Sequence, residues 1–152
     1  MKATVDESQW EEAMQGIAFD LQEAFKDKLT KEHGKDTGTL QSGIRGKVSN
    51  DTIIISMPEY GQNLEFGTPP HDVNPDDLEG WISRKWLSEW KPSDKSFYSS
   101  KSVRREEVIA RLAKTLANHI RKFGTKSFPF VRDTMNRDAE KIIERNFQSA
   151  FK

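Results

Sequence analysis

The sequence predicts an α+β fold in a single domain spanning 1–152, with a long N-terminal helix, a small antiparallel sheet with a hairpin, and two further long helices. Three observations predict it. Trp10, Met14, Ile17, Leu21, Phe25 and Leu29 recur at spacings of three and four, which places them on one stripe of a helix. Two short β-favouring runs, at 44–49 and 52–57, flank the polar pair Asn50–Asp51, the pattern of a hairpin. Two more helical stripes fill the last third: Ile109, Leu112, Leu116, Ile120 and Phe123, then Val131, Met135, Ala139, Ile142 and Phe147.

The first helix is expected from about 7 to 33. Asp6 or Ser8 can cap its exposed amides, Glu11 and Glu12 suit its positive end, and Gly34 can take the left-handed conformation that closes it. The turn-rich stretch 36–43 follows, where Thr37 can cap a single helical turn. In the second strand Ile53, Ile54 and Ile55 are consecutive. Lost alternation predicts cover on both faces, by a helix on one side and a neighbouring subunit on the other. After Pro58 the segment 59–70 mixes Tyr60, Leu64 and Phe66 with two glycines, Pro69–Pro70 stops any regular element, and a loop is expected to follow.

A short helix is expected from Pro75 to about Trp90, with Asp76 and Asp77 in its first turn. It carries Trp81, Trp86 and Trp90, an apolar mass suited to a core or a subunit contact. The Ser-rich stretch 91–101 reads as a mobile connection. Ser102 can then cap a second long helix, with Glu106 and Glu107 near its start and Gly124 at its end. Pro129 holds Phe128 extended before the last helix begins.

Composition narrows the function classes. A chain of 152 residues with nine Phe and four Trp can enclose one core, and zero cysteines exclude disulfides, thiolate chemistry and Cys-ligated zinc. Nothing near the N-terminus resembles an export signal, and the longest aliphatic run is three isoleucines, so a soluble protein without a membrane partner is expected. His33, His71 and His119 lie in different elements and form no metal-binding spacing. The glycines form neither a P-loop nor a dinucleotide fingerprint. The carboxylate pairs fall at helix starts, where they complement the macrodipole. No enzyme activity, cofactor or metal is expected.

Charge is distributed unevenly. The formal net charge is zero, yet residues 1–34 carry four lysines against eight acidic residues, a net −4, and residues 101–152 carry thirteen basic residues against six acidic, a net +7. Opposite ends of opposite sign favour head-to-tail contact between copies, or turn a basic face toward a polyanion. Arg104, Arg105, Arg111, Lys114, Arg121 and Lys122 share the helix expected at 102–123. They are candidates for subunit or DNA contact, and an alternative reading is a stand-alone nucleic-acid-binding α+β module that uses this helix.

Three stretches in order resemble the tail-component family of tailed bacteriophages, which sits at the neck between the portal complex and the tail tube. "DTGTLQSGI" at 36–44 is similar to the family's acid-x-Gly-x-Leu-x-x-Ser-Ile pattern and contributes Thr37, Gly38, Leu40 and Ile44. "EYGQNLEFGT" at 59–68 is similar to its Tyr-Ala-x-x-Val-Glu-Phe-Gly-Thr signature and contributes Tyr60, Leu64, Glu65, Phe66, Gly67 and Thr68. "FPFVRDTM" at 128–135 resembles the Pro-Phe-hydrophobic-Arg-Pro-Ala segment and contributes Pro129, Phe130 and Arg132. Gly61, Gly43, Asp133 and Thr134 depart from these patterns, and about 69–124 reads as a helical insertion.

The resemblance implies a structural virion protein of the neck, involved in tail completion or head-tail joining and assembled in the host cytoplasm. It implies a homo-oligomeric ring of six copies around the DNA channel, stacked on a head-closure protein and on a tail terminator or tail tube, with non-specific DNA as a further contact. The physical reading of the motif residues is that Tyr60, Phe66 and Phe130 organise the core. Leu64 and Phe66 are expected to turn inward while Glu65 pairs with a cation.

Overall fold

In a computed structural model the protein is described over residues 4–33, 38–85 and 105–152. The elements are α1 (Glu7–Lys28), a wider π-type turn (Leu29–His33), α2 (Thr39–Gly43), β1 (Arg45–Ser49), β2 (Thr52–Ser56), α3 (Tyr60–Phe66), α4 (Pro75–Lys85), α5 (Arg105–Phe123) and α6 (Phe130–Ala150). This is the expected α+β fold, with a long first helix, one antiparallel hairpin and further long helices. Thr37, Gly34, Trp86, Trp90, the 91–101 connection, Ser102 and Arg104 lie outside the described residues.

The chain forms two compact units, residues 1–66 with 127–152, and residues 67–126. The second begins and ends close to the segment read as an insertion.

In the first unit α1 lies along α6 and carries the hairpin on its flank. Asp6 caps α1, accepting from the Ser8 amide at 3.0 Å. The stripe is as the spacing predicts: Met14, Ile17, Leu21, Phe25 and Leu29 are buried. Trp10 is half-buried, its ring tilted on Phe147 and its indole N–H donating to Asp51 at 2.9 Å. That bond ties the start of α1 to the hairpin turn.

The hairpin register pairs Gly46 with Ile55 and Val48 with Ile53 around a two-residue turn. Both turn residues have positive φ, 49° at Asn50 and 55° at Asp51. That is the twist tight hairpins favour, and Asn and Asp tolerate it. Ile53 and Ile55 face inward against the α1–α6 core, whereas Ile54 is exposed on the other face. The three isoleucines therefore alternate in burial, and among the described residues only the inner face of the strand is covered. β1 lies so close to α1 that a Cβ at Gly46 would collide with the Ala18 carbonyl. Its amide donates to the Gln22 side chain at 2.8 Å.

Across the other flank, Arg145 and Asn146 of α6 donate to Asp20 of α1 at 2.8 and 2.7 Å. Burial works to raise the Asp20 carboxyl pKa, but the two donors and the Arg145 charge outweigh it and hold the group below the usual carboxylate range.

Of the stripe expected on α6, Ala139 and Ile142 are buried and Val131 and Phe147 pack against the core, with one exception at Met135. Met135 is exposed and Thr134 is fully buried, its hydroxyl without a hydrogen-bond partner among the described residues. Phase is set by Phe130, which is inserted in the core at the helix start; a buried position at 130 brings 134, one turn on, inward and turns 135 out. An orphaned hydroxyl forfeits its hydration without return. Thr134→Val, of the same shape, is expected to raise the midpoint of chemical denaturation, with a gain of about 1 kcal/mol; a lower midpoint would show that the hydroxyl has a partner.

In the second unit α4 packs on α5, with Ile82, Val108, Ala113, Ala117 and Ile120 buried. Pro75, Asp76 and Asp77 form the first turn of α4 as expected. The capping side chain is Asn74, which accepts from the Asp76 amide at 3.1 Å. Gly124 closes α5 with φ of 74°. There its amide bonds Ile120 at 2.8 Å, and a Cβ would strike the Thr68 carbonyl.

Candidate functional site

The three motif stretches are far apart in sequence, and the fold gathers residues of all three into one neighbourhood of the first unit. Gly38, buried with φ of 80°, sits at the N-cap of α2. From that turn Leu40 reaches a core cluster made by Phe25, Leu29, Ile44 and Phe130, with Met57, Leu64 and Phe128 packed around it. Ile44 and Phe130 are both 0% exposed. The Phe130 ring meets Phe25 edge-on, centroids 6.3 Å apart.

Glu65 is the polar centre of this neighbourhood. It lies on α3, is buried, and accepts from the Val131 amide at 2.8 Å through Oε2 and from the Arg132 amide at 2.9 Å through Oε1. Pro129 stands at the N-cap of α6 and has no side chain able to cap. The first amides of a helix have no partners within it. Here each has one: Phe130 N–H bonds the Phe128 carbonyl at 2.8 Å, Asp133 N–H bonds the Pro129 carbonyl at 2.9 Å, and Glu65 takes the two between. A carboxylate aimed at the positive end of a 21-residue helix also gains from the macrodipole.

A second clip lies beside it. The Phe128 amide donates to the Leu64 carbonyl at 2.7 Å. The end of α3 and the start of α6 are thus joined by adjacent residues of each, 64–65 to 128 and 131–132.

Several expectations are corrected by this geometry. The stretch 59–68, to which the residue pattern assigned no element, holds α3 at Tyr60–Phe66; Gly61 fits there against Met57 and Leu40, where a larger residue would be crowded. Glu65 does not pair with a cation but with backbone amides. Arg132 instead exposes its side chain, 3.9 Å from Asp133. Phe66 and Tyr60 do not organise the core: Phe66 is 79% exposed and Tyr60 45%. The helix explains this, since Gly61 and Glu65, one turn apart, take the inner face and turn Tyr60 and Phe66 outward.

Gly67 has φ of 71°, and Thr68 forms an antiparallel bridge with Thr125 in the second unit, their hydroxyls 2.8 Å apart. Of the basic candidates, Arg111, Lys114 and Lys122 are exposed and form no ion pair among the described residues. Arg121 is already engaged, its Nε 2.6 Å from Asp72. Lys122 lies over the exposed Phe123 ring, 5.1 Å from its centroid. Arg105 is the first residue of α5.

Among the described residues no group of acidic or histidine side chains has a metal-binding arrangement. His71 is exposed and bonds the Pro69 carbonyl at 2.8 Å, and His119 lies against Phe123 with centroids 4.9 Å apart. No described helix is long and apolar enough to cross a membrane.

Comparison with known proteins gives no match to a family model, a curated protein or a solved structure.

Proposed function

We propose that this protein is a structural component of the neck of a tailed bacteriophage, acting in tail completion or head-tail joining around the DNA channel. The carrying observation is that residues of the three family-like stretches depend on one another in space. Leu40 and Ile44 from the first, Leu64 and Glu65 from the second, and Phe130 with the 131–132 amides from the third form one packed and hydrogen-bonded unit. Partial resemblances scattered along a chain have little weight singly. Their convergence gives a reason for their order, because Glu65 requires a helix start without a capping side chain and Pro129–Phe130 supplies one.

The same motif leaves Tyr60 and Phe66 outside. Two exposed aromatics on one short helix, held by a buried carboxylate, make a rigid apolar feature suited to a partner protein. In a neck that partner is a second copy in the ring, a head-closure protein, or a tail terminator or tail tube.

The deciding experiment deletes the coding sequence from the virus that carries it and images the products by electron microscopy. DNA-filled heads and separate tails are expected, and the protein supplied in trans restores joined, infectious particles. Whole infectious particles without the protein would overturn the reading.

A further inference from the structure

Two helix faces, one in each compact unit, carry exposed charges of predominantly opposite sign. On α1, Phe19 is 60% exposed. Glu11, Glu12 and Gln15 precede it on the same outward side, all exposed, and Glu12 is two turns away, about 10 Å along the axis. Neither Glu11 nor Glu12 forms an ion pair among the described residues. Farther along, Lys26 and Lys31 pair with Glu23 and Asp27, so the uncompensated negative charge lies at the N-terminal half.

On α5, Phe123 is 61% exposed but lies about 100° round the helix from Lys122, on the side of His119. Arg111, Lys114 and Lys122 stand on the outward side with Asn118 between them, all exposed. Residues 107, 111, 114, 118 and 122 follow helical spacing and form one stripe, with the exposed Glu107 at its N-terminal end. Opposite it, Val108, Ala113, Ala117 and Ile120 are buried against α4.

We infer that the Phe19 face of α1 in one copy docks on the Arg111–Lys114–Lys122 face of α5 in the next. Either helix alone would be an ordinary solvated surface. The complementarity argues for a mutual partner: among the described residues, the free charges beside Phe19 are the carboxylates of Glu11 and Glu12, while the stripe on α5 carries the free cations Arg111, Lys114 and Lys122 against the one carboxylate of Glu107. Aromatic and arginine side chains are the residues that dominate protein interfaces. Opposite potentials also steer encounter and suppress the wrong register. Because the two patches differ, the contact is heterologous, the kind from which rings or open filaments are built. It deepens the neck reading by naming the subunit contact of the proposed ring.

The test uses the full-length protein and its sedimentation at low salt. Wild type is expected to associate, with the oligomer fraction falling as salt is raised over the range where the Debye length contracts. Glu11→Lys with Glu12→Lys should at least halve the weight-average mass, as should Arg111→Glu with Lys114→Glu, and Phe19→Ser should do the same at any salt. All five positions are exposed, and unchanged circular dichroism verifies the fold. Combining both charge reversals in one chain should restore association, an outcome that a misfolded variant cannot produce.

A monomeric wild type at every concentration tested overturns the contact, as does association that none of these changes weakens. A labelled DNA duplex is titrated in parallel. If the Arg111/Lys114 reversal abolishes DNA binding and leaves self-association intact, the basic face serves nucleic acid and the inference falls. Failure here would leave the deletion experiment to decide the neck reading on its own, and failure there would leave this contact standing.

Discussion

Glu65→Ala is expected to destabilise the protein by about 2 to 4 kcal/mol, measured by chemical denaturation. The figure follows from two bonds to a charged acceptor, each contributing about 1.5 to 3 kcal/mol, less what water recovers at the opened helix end. Ordinary cap removal costs only about 1 kcal/mol. Glu65 exceeds that because it is buried, bonds two amides and comes from another helix, so its loss also loosens α3 from α6. Glu65→Gln should recover only part, since its amide nitrogen would face a backbone N–H. Hydrogen exchange gives a local readout: the Val131 and Arg132 amides should be protected in wild type and exchange faster in the variant. A loss under about 0.5 kcal/mol, the range of a neutral surface change, would refute the assignment of Glu65 as the cap of α6.

Phe130→Ala should cost about 3 to 5 kcal/mol, the range for emptying a buried aromatic site. The ring is fully enclosed by Phe25, Leu29 and Ile44, and the start of α6 is pinned by backbone bonds on both sides of it. The site therefore has little freedom to collapse into the space left. Phe66→Ala is the internal comparison: at 79% exposure it should change stability by less than about 0.5 kcal/mol. Equal losses from the two substitutions would contradict the orientation of α3. If Phe66 contacts a neck partner, its substitution should instead impair particle joining while leaving the isolated protein as stable as wild type.

Much of the fold was legible in local pattern. The spacing from Trp10 to Leu29 identified α1 and its buried side, because one amphipathic stripe over five turns leaves a single way to face a core. Asn50–Asp51 marked the hairpin turn, and Gly124 the end of α5, since each residue type tolerates the positive φ those places require. Where the signal was short, pattern misled. Two glycines concealed α3, a helix of seven residues whose stability comes from Glu65 and Leu64 bonding the segment that opens α6. For the run of three isoleucines, the expected helix cover is found over Ile53 and Ile55, and Ile54 stands exposed on the face assigned to a neighbouring subunit.

The sequence alone determined the classes and order of the long elements, the hairpin turn and the charge asymmetry, because helical stripes, turn residues and ionised side chains act over a few neighbouring positions. Only the tertiary structure decided that Glu65 caps a helix 66 residues away, that Phe130 goes inside and Phe66 outside, and that Thr134 is buried in place of Met135. Those outcomes depend on which unsatisfied amides and which apolar faces meet once the chain has closed, and residues so distant leave no periodicity between them to read.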